Sequence, residues 1–175
     1  VSVTVSASSF VPKPFTPFQW EPQDTLEELE RKQKVMLSAN HSRKVTCHWH
    51  DAKTTVMEGA FARGDRRLGA VLLRAHEAGC KLDGWADCFD FDRWQRVFRE
   101  CGVDPAFYAH RRRSFDEVLP WDHLDYGIRK EFLQHECEKA YQSTTTPNCR
   151  EQCSGCGAAC WKAGICVENR KNLVP

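Results

Sequence analysis

The sequence predicts an α/β chain that is predominantly helical. Three observations carry that expectation. Residues 1–8 alternate apolar and polar, the period-2 mark of a half-buried strand. A second strand-like run, Lys44-Val-Thr-Cys-His-Trp-His50, follows one amphipathic helix, which makes a strand–loop–helix–strand unit of the βαβ kind. From residue 51 onward the apolar positions recur at helical spacing.

In the first strand Val1, Val3, Val5 and Ala7 alternate with Ser2, Thr4, Ser6 and Ser8. The chain opens inside this strand without a starting Met, so its pairing neighbour is expected upstream and the chain is expected to be a fragment of a longer protein. Residues 10–22 hold four prolines and four aromatics. Each proline fixes its own φ and restricts its predecessor, so this stretch is a stiff extended loop. Asp24 or Thr25 then caps a helix, with Glu27 or Glu28 completing a capping box. Leu26, Leu29, Gln33, Met36 and Leu37 are its expected buried stripe, and Glu27–Arg31, Glu28–Lys32 and Glu30–Lys34 its solvent-side pairs. Thr54 to Arg63 forms a short helix closed by Gly64, and Asp65 is the expected cap of the next. The following stripes are Leu68, Val71, Leu72, Ala75 and Gly79, then Phe91, Trp94, Phe98 and Cys101. After a connection over 120–126 comes Phe132, Leu133, Cys137, Ala140 and Tyr141. Residues 143–175 are polar and cysteine-rich. The resulting segments are 1–50, 51–142 and 143–175.

Composition narrows the function classes. The 25 basic and 24 acidic residues nearly cancel, leaving +1, so no global field marks a nucleic-acid or membrane binder. At 41% hydrophobic and 28% charged the chain can bury a core. No apolar run reaches the length of a membrane span, and the first residues lack the basic start of a signal peptide. Ten cysteines in a chain with long helical patterns point to reduced thiols in a cytoplasmic protein rather than to a disulfide scaffold. Cys47, Cys80, Cys88, Cys101 and Cys137 are scattered singly and read as structural. Cys149, Cys153, Cys156, Cys160 and Cys166 crowd the tail.

Cys149, Cys153, Cys156 and Cys160 are spaced x3, x2, x3, with Gly155 and Gly157 among them to let the backbone fold tightly. A zinc ribbon usually has two Cys-x2-Cys knuckles on a longer arm, and only Cys153-x2-Cys156 is present. Dense runs of this kind favour an iron–sulfur cluster; zinc and unmetallated thiols stay open as alternatives. Cys47, His48 and His50 offer ligand types, but on a strand Cys47 faces away from the two histidines and the set is incomplete. Arg66 and Arg67 read as structural ion-pairing groups. The run His110-Arg-Arg-Arg113 is the densest basic stretch and the only hint of RNA contact. No nucleophile elbow, phosphate-cradling glycine loop or paired-carboxylate motif is present in the sequence.

Several long phrases go further: Ser9-Phe-Val-Pro-Lys-Pro-Phe-Thr-Pro-Phe-Gln-Trp-Glu-Pro-Gln23, Glu58-Gly-Ala-Phe-Ala-Arg-Gly-Asp-Arg-Arg67, Leu82-Asp-Gly-Trp85, Phe91-Asp-Arg-Trp94 and Leu119-Pro-Trp-Asp-His-Leu-Asp125. Through these the chain resembles the carboxy-terminal region of radical S-adenosylmethionine proteins of the group with an upstream cobalamin-binding-type domain. The resemblance implies the last part of a (βα) barrel over residues 1–50, then a helical region, then the cysteine-rich metal-binding tail. It implies a 4Fe-4S cluster, S-adenosylmethionine and a cobalamin-type domain in the missing amino-terminal part, and a small-molecule or RNA substrate. The Pro-rich loop would line the site at the barrel's end, where Lys13 could face an anionic group, Gln19 could hydrogen-bond substrate, and Phe18 or Trp20 could wall the pocket. The family commonly has histidine at the position of Phe15, and this sequence departs there. The family's tail often runs Cys-x2-Cys-Gly-x-Cys; the extra residue before Cys160 makes Cys166 an alternative ligand. Beside this enzyme stands a non-enzymatic alternative, a helical interaction module with a structural zinc site that binds protein or RNA.

Overall fold

In the computed structural model, residues 1–158 are described. Among them two strands and six helices follow the order β1 (Val3–Ala7), α1 (Leu26–Ala39), β2 (Val45–Trp49), α2 (Ala52–Ala62), α3 (Leu68–Glu77), α4 (Phe91–Glu100), α5 (Pro105–Ala109) and α6 (Lys130–Tyr141). The chain is α/β, and helix outweighs strand. It divides into two compact units, one of residues Val1–Pro12 with Glu21–Arg113, the other of Lys13–Trp20 with Ser114 onward.

In the first unit β1 and β2 pair in parallel, Val3 opposite Val45, Val5 opposite Cys47 and Ala7 opposite Trp49. Those six side chains therefore share one face, and Thr4, Ser6, Thr46 and His48 share the other. Ala7 and Trp49 line a cavity with Leu29, Gln33 and Met36 of α1, so the apolar face is the one turned toward the crossover helix. The described sheet has these two strands only and forms no barrel. Val3 stays 51% exposed.

Thr25 caps α1, its hydroxyl accepting from Glu28 N–H at 3.3 Å. Of the expected stripe Leu29 is buried, Leu26, Gln33 and Met36 are half-buried, and Leu37 is exposed. Among the described elements the helix packs chiefly on α2 and β2, too narrow a support for a five-residue stripe. Of the expected ion pairs Glu28–Lys32 forms, at 3.7 Å; Glu28 also takes Arg31 at 2.7 Å, and Lys32 also reaches Asp24 at 2.6 Å. Asp51 caps α2 through Thr54 N–H. The expected Asp65 cap is replaced by a tighter turn, in which the Asp65 carbonyl accepts from Leu68 N–H and its carboxylate takes Arg67; the N-cap position is Arg67 itself. Leu68, Val71 and Ala75 of α3 meet Trp94, Val97 and Phe98 of α4 and Tyr108 of α5 in one core cluster. Leu72, expected inside, is exposed because the neighbours of α3 cover only the Leu68–Val71–Ala75 line. Helix α5 was not anticipated; Asp104 accepts from Ala106 N–H and Pro105 opens the helix.

In the second unit Trp20, Leu119, Trp121 and Leu133 form the core, with Phe15, Phe115, Ile128 and Phe132 packed on it. Leu133 and Cys137 are the buried residues of α6, and Tyr141, expected in its stripe, is exposed. No helix among the described residues is long and apolar enough to cross a membrane.

Candidate functional site

The Pro-rich segment supplies the second unit with its first eight residues. Lys13 and Phe18 are exposed, whereas Gln19 and Trp20 are buried. Trp20 belongs to the core and meets Phe115 edge-on at 4.8 Å. Of the four residues expected to bind substrate or cofactor, Gln19 lines a cavity of the second unit.

That cavity, about 340 Å³, is walled by Phe15, Trp121 and Leu133 and rimmed by the charged groups of Asp122, Asp125 and Lys130. Phe15 N–H donates to Gln19 Oε1 at 3.1 Å, and the Trp121 indole N–H donates to the same oxygen at 2.6 Å. Phe15 has φ +58°, a left-handed conformation that side chains seldom adopt, and its ring stacks on Tyr126 at 4.3 Å. Asp122 Oδ2 accepts from Leu119 N–H and from Lys130 Nζ at 2.6 Å, and Lys130 also donates to the Glu117 carbonyl. Asp125 accepts from Gly127 N–H. The wall residues 121–125 sit in a phrase that sequence reasoning noted only for its resemblance. A tryptophan followed by two aspartates and a histidine within four positions was the available signal.

In the tail, Cys149, Cys153 and Cys156 are free and half-buried. Gly155 and Gly157 have positive φ, and a Cβ on Gly157 would lie 2.5 Å from the Gly127 carbonyl oxygen. This glycine therefore allows the close approach in which Arg129 N–H donates to the Cys156 carbonyl at 2.8 Å. Among the described residues no three His, Cys, Asp or Glu side chains are grouped to hold a metal ion. Those three cysteines do not by themselves make a ligand set, and Cys160 and Cys166 lie outside the described residues.

The other sequence candidates lie in the first unit. His48 and His50 are exposed while Cys47 is half-buried, as opposite strand faces require. The basic run is tied into that unit: Arg112 pairs with Glu21 at 2.7 Å, and buried Arg113 donates to the Arg63 carbonyl. Arg63 is fully buried and donates to the carbonyls of Ala109 and Arg111 at 2.7 and 2.9 Å. The Asp65 carboxylate is held well below its ordinary range. Hydrogen bonds from the Arg67 guanidinium, helped by Arg67 N–H and the Tyr108 hydroxyl, bring its pKa from 3.8 to about 2. Burial, then the hydrogen bond to Asp65, raises the Tyr108 pKa in turn. This cluster joins α5 to the turn before α3.

Compared with protein-family models, curated proteins and solved structures, the chain matches none.

Proposed function

We propose that this chain is the carboxy-terminal portion of a cytoplasmic radical S-adenosylmethionine enzyme with an upstream cobalamin-binding-type domain, contributing barrel wall, helical cap and an auxiliary metal site. The observation that supports the reading is the uncovered sheet. Parallel strands are ordinarily buried on both faces, and unpaired strand edges invite partners. Here β1 and β2 pair only with each other among the described residues, and Val3 and Val5 are exposed. Further parallel strands would satisfy these edges. The face carrying Thr4, Ser6, Thr46 and His48 would then turn to the barrel interior, and α1 would remain outside. The segment leaving β1 at its carboxyl end runs into the Pro-rich loop, the position from which barrel enzymes build their sites.

In such an enzyme the chemistry supplied is one-electron reductive cleavage of S-adenosylmethionine, by a cluster held outside these residues. The part left to this chain is to wall the barrel, exclude water and orient a small-molecule or RNA substrate. Cys149, Cys153, Cys156 and Cys160, with Cys166 as alternative, would supply thiolates to an auxiliary iron–sulfur cluster, a reading carried by their spacing.

The reading frame upstream of Val1 is the first test. A Cys-x3-Cys-x2-Cys triplet about a barrel's length upstream is expected, and a start codon immediately before Val1 would sink the proposal. The protein of the full frame, purified without oxygen, should contain iron and sulfide and yield 5′-deoxyadenosine from S-adenosylmethionine under reduction. Cys156→Ala should lose the auxiliary share of the iron; retention of full metal overturns that site. Stoichiometric zinc without sulfide, and no cleavage, would favour the helical interaction module instead.

A further inference from the structure

We propose that the cavity of the second unit binds an uncharged, flat ligand bearing a carbonyl oxygen, an aromatic amide or lactam, and that Gln19 Nε2 is the donor that selects it. Three features lead there. First, the orientation of the Gln19 amide is determined chemically. Phe15 N–H and the Trp121 indole N–H can only donate, and both point at one atom of the amide, which must be its oxygen. The NH2 end is thereby left to the other side, with no acceptor among the described residues, in a side chain only 2% exposed that lines the cavity. The nitrogen is not among the enclosed polar atoms that lack a partner, so it opens on the cavity, where a ligand acceptor or an ordered water can meet it.

Second, the space suits a small planar molecule. About 340 Å³ lies at the lower end of ligand-site volumes. Phe15 and Trp121 present aromatic surface and Leu133 an apolar wall. Phe15 is held in its left-handed conformation by its hydrogen bond to Gln19, so the same amide that offers the donor also places the ring.

Third, the charge balance selects against acids. Lys130 is matched by Asp122 at 2.6 Å, and the carboxylate of Asp125, which also lines the cavity, has Gly127 N–H as its bonded partner among the described residues. The rim is left net negative, which disfavours a carboxylate or phosphate and leaves the neutral donor of Gln19 to take a neutral acceptor.

The proposal stands on the second unit alone and not on the radical S-adenosylmethionine reading. Binding is measured without S-adenosylmethionine or reductant, so each can fail while the other stands. The test titrates the 175-residue chain with benzamide and uracil by calorimetry, with benzoate as the charged control. Saturable binding of at least one neutral probe is expected, with benzoate at least tenfold weaker. Gln19→Glu keeps an oxygen for Phe15 and Trp121 but replaces the donor, and should weaken the neutral probe about tenfold or more. In parallel, the Gln19 side-chain amide resonance of the wild-type chain should shift as the probe is added, a readout that survives if the variant fails to fold. No saturation by either neutral probe, equal binding of benzoate, an unaffected variant or an unmoved Gln19 resonance would each overturn the assignment.

Discussion

Replacing Gly59 by alanine pits two effects against each other inside helix α2. At an exposed helix interior the change would gain about 0.5–1 kcal/mol through propensity. Gly59 is buried, however, and the new Cβ would lie 2.1 Å from Gln23 Oε1, 2.6 Å from its Cδ and 2.9 Å from its Nε2. Gln23 is itself only 2% exposed and donates to the Thr55 carbonyl at 2.9 Å, so it cannot swing aside without breaking that bond. Overpacking of this kind costs about 1–3 kcal/mol, and the lost hydrogen bond about 1 kcal/mol more. With the propensity gain subtracted, Gly59→Ala should destabilise the chain by about 1–3 kcal/mol. Urea unfolding followed by circular dichroism measures it. The same clash predicts a signature that propensity alone cannot produce. Gln23→Ala empties the space the new methyl needs, so the double variant should be more stable than the two single changes sum to, by about 1 kcal/mol or more. A Gly59→Ala variant as stable as wild type, or strict additivity with Gln23→Ala, refutes the packing argument.

Two further outcomes are expected. Arg63→Lys keeps the charge but offers one nitrogen where the guanidinium spans the Ala109 and Arg111 carbonyls, and should cost about 1.5–3 kcal/mol in the same urea assay; an unchanged midpoint would show that the fork is dispensable. The Asp65 carboxyl titrates at about 2 in the folded chain against 3.8 ordinarily, so it contributes stability above about pH 4 that is lost as the pH falls toward 2. Asp65→Asn should therefore be the less stable protein at neutral pH and draw level with wild type near pH 2; a gap that persists there contradicts the assignment.

What was legible in the sequence is what rests on local chemistry. Thr25, one of the two caps expected for α1, accepts a backbone N–H there, whereas the Asp51 cap, which starts α2 at Ala52 rather than at the expected Thr54, was missed. The alternation at 3–7 and 45–49 marks strands, and a parallel pair is what one intervening helix allows. The misses come from burial, which depends on what lies opposite. Leu37, Leu72 and Tyr141 have the right period, yet they stay exposed. The candidate site was legible by half. Gln19 was singled out from a proline-rich loop, but its partner Trp121 is 102 residues away, and no local pattern ties the two together. Asp65 illustrates the same limit at short range: it looked like a cap, but a guanidinium two residues on competes better for its carboxylate.

The split of the second unit across the chain has a consequence for synthesis. Its first eight residues leave the ribosome before Glu21–Arg113, and the residues that cover them come after. Trp20 and Phe15 have their core partners at Leu119, Trp121 and Leu133, so two large aromatic side chains wait uncovered while about a hundred residues are made. The entropy of closing so long a loop is modest, since each doubling of length adds only about 0.6 kcal/mol. The delay is in time rather than in equilibrium, as expected for contacts of large sequence separation. A nascent chain stalled before Trp121 carries this loop as an exposed apolar segment, and its prolines, which cannot donate to a β ladder, are what keep that segment from joining the strands of its neighbours.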